Sequence, residues 1–319
     1  MDNDHRSMGS RRGFLRSAAL IGSAVGLAAD AAPGATAASS KRMIASSPIM
    51  RAIPATHERL PAVGVGANAF RNANYNEVRD LLRRMVELGG SVVDTAAAYG
   101  ESEAVIGKAL EELGLRDKLF LATKFGESEL AAAKNSFERS RLSLRTTAVD
   151  LLQIHSLQGL ELLMPLMQEY KAAGKIRYLG VTTSREEQHP ALLAALQKYA
   201  LDFVQVDYSL ANRAAAQSVL PAALERGVAV LINMPLGGRR ASLMQDLGGR
   251  QLPAWAEDID AASWSQFFLK YVIGHPAVTC AIPGSTMLAH LEDNQLAARG
   301  RLPDAPLRLR MEKFWDAKT

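Results

Sequence analysis

Beyond residue 41, short β-branched and apolar runs alternate with longer stretches in which apolar positions recur every three to four residues. The short runs occupy 62–66, 91–94, 119–124, 149–155, 176–181, 202–207, 228–232 and 278–282. The longer stretches occupy 76–88, 103–113, 129–144, 160–173, 185–199, 214–226, 261–273 and 287–298. In the first of these, Val78, Leu81, Leu82, Met85 and Val86 stand at i, i+3, i+4, i+7 and i+8, which makes one buried helix face. A run such as Val228-Ala229-Val230-Leu231-Ile232 is apolar on both strand faces and suits a parallel strand covered on both sides. Eight units in strict alternation predict parallel βα crossovers, and with them an α/β fold closed as a (β/α)8 TIM barrel.

Three segments fall outside the eight units. Residues 50–61 predict an N-terminal hairpin at the barrel bottom, and residues 306–315 predict a terminal helix. Residues 237–260 are rich in Gly and Arg and exceed the roughly 12–15 residues of ordinary structureless connections. Their place after the seventh strand predicts a long loop on the face where barrels keep their active sites.

The amino-terminal end has a different pattern. Ser10-Arg11-Arg12-Gly13-Phe14-Leu15-Arg16 precedes a small, apolar run over 17–29, with Ala29-Asp30-Ala31 and Ala35-Thr36-Ala37 as candidate cleavage sites. A positive start, a short apolar run and Ala-x-Ala sites define an export signal. The S-R-R-x-F-L pattern is its twin-arginine form. Residues 1–37 are therefore expected to be a signal peptide and linker, with the twin-arginine translocase as partner and a periplasmic or otherwise exported destination. The barrel domain is expected over 50–316. The apolar run is shorter than the roughly 20 residues that span a bilayer, so no stable membrane insertion is expected.

Composition adds exclusions. The net charge of +4 is small and its signs are interleaved, which does not point to nucleic acid. The single cysteine, Cys280, rules out an internal disulfide framework and a multi-cysteine zinc site, and no metal is expected.

In a barrel, residues at strand C-termini converge on one mouth. Asp94 ends the second strand, Tyr99 follows five residues later, Lys124 ends the third and His155 the fourth. Singly, each has an ordinary reading as a turn cap, a rim hydrogen-bonder or a surface charge. Together they form an acid catalyst for carbonyl chemistry. A free phenol, with a pKa of about 10, is a weak acid at neutral pH, and a nearby ammonium stabilises its phenolate. A carboxylate keeps the ammonium charged and in place, and an imidazole orients the carbonyl or shares the proton.

The residues Asp94-Thr95-Ala96-x-x-Tyr99-Gly100-x-Ser102-Glu103, Thr123-Lys124, His155, Gln205 and Ile282-Pro283-Gly284-Ser285, with His290 and Asn294, resemble the aldo-keto reductase family over about 50–316. The resemblance implies a carbonyl reductase using NADP(H), with NAD(H) as a second option, on a small-molecule carbonyl substrate. Asp94, Tyr99, Lys124 and His155 match the family tetrad, with Tyr99 as proton donor. It also implies a cofactor across the mouth, held by Thr182, Thr183, Gln205, Asn233, Pro235, Leu236, Gly237, Ser285, Thr286, His290 and Asn294. Phe70, Phe314 and Trp315 are candidate substrate-pocket residues. A helix start at Met287 would add amide donors for phosphate.

The chain also departs from the family's pattern. The Ser-Asn pair that holds the cofactor carboxamide reads Thr182-Thr183, and Asn233 stands where an aromatic commonly stacks on the nicotinamide. Gly284, Thr286 and Met287 replace the basic residues that grip the 2′-phosphate, leaving His290, or Arg239 and Arg240 in the long loop. A nucleotide-binding sensor or subunit with little turnover is the alternative, favoured by the missing aromatic and disfavoured by intact Tyr99 and Lys124. A nucleotide-free sugar-modifying barrel would need a second carboxylate beside Asp94, and none is evident.

Overall fold

The computed structural model describes residues 46–238 and 242–317. The twin-arginine segment, Arg239 and Arg240 lie outside the described residues.

The chain opens with an antiparallel hairpin, β1 (Met50–Ala52) and β2 (Arg59–Pro61). Eight parallel strands follow: β3 (Val65–Gly66), β4 (Val92–Asp94), β5 (Phe120–Phe125), β6 (Val149–Ile154), β7 (Ile176–Thr182), β8 (Phe203–Asp207), β9 (Ala229–Asn233) and β10 (Cys280–Ala281). They pair in chain order. Closure comes from parallel bridges Val63–Ala281 and Gly66–Gly284, supported by Gly64 N–H to the Ala281 carbonyl at 2.9 Å. The helices that cover the barrel are α1 (Tyr75–Glu87), α2 (Ser102–Leu113), α3 (Leu130–Ser143), α4 (Leu160–Ala172), α5 (His189–Lys198), α6 (Ala214–Gln217), α7 (Val219–Glu225), α8 (Trp264–Ile273), α9 (Leu288–Ala297) and α10 (Ala305–Asp316). Among the described residues no helix is long and apolar enough to cross a membrane.

The alternation of strand side chains explains how the barrel is filled. Alternate positions read Phe120-Ala122-Lys124 on β5, Leu151-Gln153-His155 on and just past β6, Tyr178-Gly180-Thr182 on β7, Phe203-Gln205-Asp207 on β8 and Ala229-Leu231-Asn233 on β9. Each series starts apolar and ends polar. The apolar members cluster with Ile53 and Leu60 of the hairpin, which therefore closes the barrel's lower end. Phe120, Tyr178 and Phe203 form a ring cluster there with centroids 5.5 to 5.8 Å apart.

The stretch 214–226 is two helices rather than one, broken at Ser218. Pro221 explains the break: it has no N–H for the Gln217 carbonyl, and its ring crowds the preceding turn. The stretch expected to be helical from 261 begins only at Trp264, where the Ser263 hydroxyl caps the Gln266 N–H. The described part of the long loop, 242–260, is packed down. Leu243 is fully buried, and Arg250 donates to the Phe314 carbonyl at 2.7 Å, tying the loop to α10.

Candidate active site

The polar strand ends converge on a cavity of about 1020 Å³ at the C-terminal mouth, lined from Gly66 on β3 to Gly284 just past β10. Asp94, the last residue of β4, and Lys124, the penultimate residue of β5, are both buried. The Lys124 ammonium donates to Asp94 Oδ2 at 2.5 Å and to the Thr95 carbonyl at 2.8 Å. A buried ion pair of this kind persists only where further hydrogen bonds satisfy its members. Gln205 Nε2 donates to Asp94 Oδ1 at 2.9 Å, and Gln153 Nε2 approaches the same oxygen at 3.3 Å.

Tyr99 ends a short 3₁₀ turn after β4, and Gly100 follows at φ +66, a left-handed conformation that glycine adopts without strain. The Lys124 ammonium lies 5.1 Å from the Tyr99 ring centroid. His155 follows β6 and meets Tyr99 edge-on, with centroids 6.0 Å apart. Burial, reinforced by the charge of Lys124, holds the His155 imidazole below its ordinary pKa despite Asp94. His155 is thus favoured as a neutral hydrogen-bonding group near pH 7. All four residues expected from the strand ends are brought together.

Surrounding residues fix this geometry. The Ser102 hydroxyl donates to the Ala67 carbonyl at 2.8 Å and bonds Thr95 Oγ1, tying the turn carrying Tyr99 to the strand next door. The Thr123 hydroxyl donates to Glu103 at 2.6 Å, which anchors the backbone beside Lys124 to α2. Burial pushes the Glu103 carboxyl up.

The other half of the mouth comes from β7 to β10. Thr182 donates to Gln205 Oε1 at 3.0 Å, and Asn233 Nδ2 donates to the Thr183 carbonyl at 3.1 Å. Thr182, Gln205, Asn233 and Gly237 line the cavity. Thr183 does not. Alternation turns its side chain the other way, where its hydroxyl bonds Gln188 Oε1 at 2.5 Å. Pro235 is buried and Leu236 packs on the core, outside the lining. The Ser285 hydroxyl is engaged by Met287, Asn294 is buried, His290 is exposed, and these residues and Thr286 are not part of the lining. The helix near Met287 starts one residue later, at Leu288.

The aromatic pocket candidates sit elsewhere. Phe70 is fully buried in the core. Trp315 packs edge-on against Phe268, and Phe314 against Trp255 and Trp264. The three pack into or against the core cluster, and none is in the cavity lining. Sequence reasoning overlooked Asn68, Ser184, Arg185, Asp207 and Asn212 in the lining. Asp207 was legible in principle, two residues beyond Gln205 on the same strand face.

A closed parallel barrel with a buried ammonium–carboxylate pair, a phenol and an imidazole at its C-terminal mouth has the architecture of a barrel enzyme. The chain belongs to the aldo/keto reductase family, whose model matches residues 62–308. It is 31% identical over 270 residues to methylglyoxal reductase YeaE of Escherichia coli, covering 81% of this chain and 92% of that protein. It is also 31% identical over 195 residues to aldo-keto reductase YhdN of Bacillus subtilis, spanning 56% of this chain and 58% of that relative. Among solved structures, an aldo/keto reductase from Klebsiella pneumoniae in complex with NADP and acetate superposes with a TM-score of 0.70. The two are 27% identical over 86% of this chain and 97% of the other.

Proposed function

We propose that this protein reduces aldehyde and ketone carbonyls to alcohols with NADPH, and that Tyr99 delivers the proton. The observation that carries the reading is the Lys124 ammonium, buried, held by Asp94 at 2.5 Å and 5.1 Å from the Tyr99 ring. The pair fixes a positive charge beside the ring whose hydroxyl gives up the proton. His155, neutral by reason of burial, positions the carbonyl oxygen without competing as the acid. Asp94, in turn, is fixed by Gln205 and Gln153.

The mouth suits a dinucleotide. Its cavity runs across seven strand ends, carries glycines at 66, 237, 238 and 284 where backbone can approach a ligand, and presents a buried amide oxygen on Asn233 with no partner. Thr182, Gln205, Asn233 and the backbone from Met234 to Gly238 would hold the cofactor, which supplies the hydride when bound. The Klebsiella relative with NADP bound and the methylglyoxal reductase relative support this reading.

The test is titration of purified protein with NADPH and NADH, followed by turnover assays on a panel of aldehydes that includes methylglyoxal. Saturable NADPH binding with aldehyde-dependent oxidation is expected. Binding without turnover would leave a sensor, and no binding would refute both readings.

Export through the twin-arginine translocase is a further part of the proposal, resting on Ser10-Arg11-Arg12-Gly13-Phe14-Leu15. Replacing Arg11 and Arg12 with Lys should strand the protein inside the cell. Arrival of that double variant in the periplasm would contradict it.

A further inference from the structure

We propose that Asn233 is the residue that reads the cofactor's carboxamide, accepting its N–H at Oδ1, and that Asp207 beside it excludes a carboxylate from that place. The inference rests on the reductase reading and adds the specificity of one wall of its site.

Gln205 has its amide oxygen taken. Its Nε2 donates to Asp94 Oδ1 at 2.9 Å, which fixes the orientation of the amide. Its Oε1 accepts from the Thr182 hydroxyl at 3.0 Å and is approached by Asn233 Nδ2 at 3.5 Å. The side chain of Thr183 is turned away and bonded to Gln188. Neither residue offers a bound amide a free buried acceptor.

Asn233 does. Its Nδ2 must face the Thr183 carbonyl at 3.1 Å, since a carbonyl accepts and does not donate. Its orientation is thereby fixed, and Oδ1 is left buried, on a residue that lines the cavity, with no partner. An orphaned buried acceptor is costly, and a ligand donor is the natural way to satisfy it.

Asp207 stands opposite Asn233 in the parallel ladder and on the same strand face. It is 4% exposed and lines the same cavity. Asn212 Nδ2 donates to its Oδ2 at 2.5 Å, while its Oδ1, 3.6 Å from His189 Nε2, has no hydrogen-bond partner. The carboxylate is therefore held at the wall beside the open amide oxygen. Together the two accept hydrogen bonds and repel negative charge, which describes selection for a primary amide over an acid.

The test uses calorimetric titration of the wild-type protein with three oxidised dinucleotides. These are NADP, its 3-acetylpyridine analogue, in which a methyl replaces the amide nitrogen, and its nicotinic acid analogue. The acetylpyridine form should bind about tenfold more weakly, the loss of one buried hydrogen bond, and the acid form weaker still. Asn233→Leu should erase the discrimination between the first two, and Asp207→Asn should recover binding of the acid form. Equal affinity of the wild type for NADP and the acetylpyridine form would overturn the inference. So would full discrimination retained by Asn233→Leu, which would return the role to Gln205. Absence of any dinucleotide binding would instead overturn the reductase reading, a different result from binding without discrimination.

Discussion

The two halves of the barrel mouth are built on different terms. From β4 to β6 the strand ends hold an ammonium and a carboxylate locked together, with a phenol and an imidazole against them. From β7 to β10 they hold hydroxyls, amides and glycines, with Asp207 as the one acidic side chain on those strands. The first half pairs its charges without a ligand, although the Gln153 amide oxygen on β6 is left without a partner. The second keeps an acceptor open on Asn233. Under the proposed function the first half handles the proton and the second reads the ligand, so substitutions in the first half should change rate and stability while those in the second change binding.

The largest expected effect is in the first half. Tyr99→Phe should lower kcat by about 10²- to 10⁴-fold, the usual worth of a general acid, while the Kd for NADPH stays within about threefold. Turnover above a tenth of wild type would break the division, since the proton would then come from elsewhere.

Lys124→Met tests the same half for stability. Removing the ammonium leaves Asp94 buried without its counter-charge, which typically costs about 3–5 kcal/mol. Denaturant unfolding should show a loss of that order, along with a drop in turnover. An unchanged midpoint would mean that the pair is solvated.

The second half should reveal itself in selectivity. A 2′-phosphate needs charge-assisted donors, preferably arginine, and Gly284, Thr286 and Met287 provide none. The preference for NADPH over NADH should therefore stay below about a hundredfold, or roughly 2.7 kcal/mol. A larger ratio, measured from the two dissociation constants, would point to a clamp from Arg239 and Arg240.

The smallest effect is in acid. His155 in the folded protein lies below its ordinary pKa, as does His275, whose value burial lowers to about 4. The unfolded chain then binds more protons, and stability falls as pH drops from about 6.5 towards those folded values. The melting temperature should decline over that range, and His155→Gln should make the decline shallower. An identical acid slope in that variant would show that His155 is not held neutral.

The eight-unit barrel was legible because each strand and each helix carries its own hydrophobic period, which needs no knowledge of neighbours. Asp94, Tyr99, Lys124 and His155 were legible for a related reason: strand ends meet at the mouth whatever the register. Pairings were less so. Whether Gln205 faces a ligand or Asp94 depends on the offset between β4 and β8, four places apart around the barrel, and no local pattern encodes it. Phe70, Phe314 and Trp315 looked like pocket residues because aromatics near strand and chain ends fit both uses. The packing of α10 against Phe268 and Trp264 decides for the core. Thr183 and Asp207 were readable from alternation alone, one turned out of the cavity and one turned in.

A reductase must move a hydride from its cofactor to a carbonyl. The direct measurement is to supply NADPH deuterated at the transferring position of the nicotinamide, add methylglyoxal or another small aldehyde, and analyse the product alcohol by mass spectrometry. One deuterium on the former carbonyl carbon is the predicted result, with none when the Tyr99→Phe protein is used over the same interval. NADPH bound tightly while the aldehyde is returned unreduced and unlabelled would contradict the reductase reading and leave a nucleotide-binding barrel.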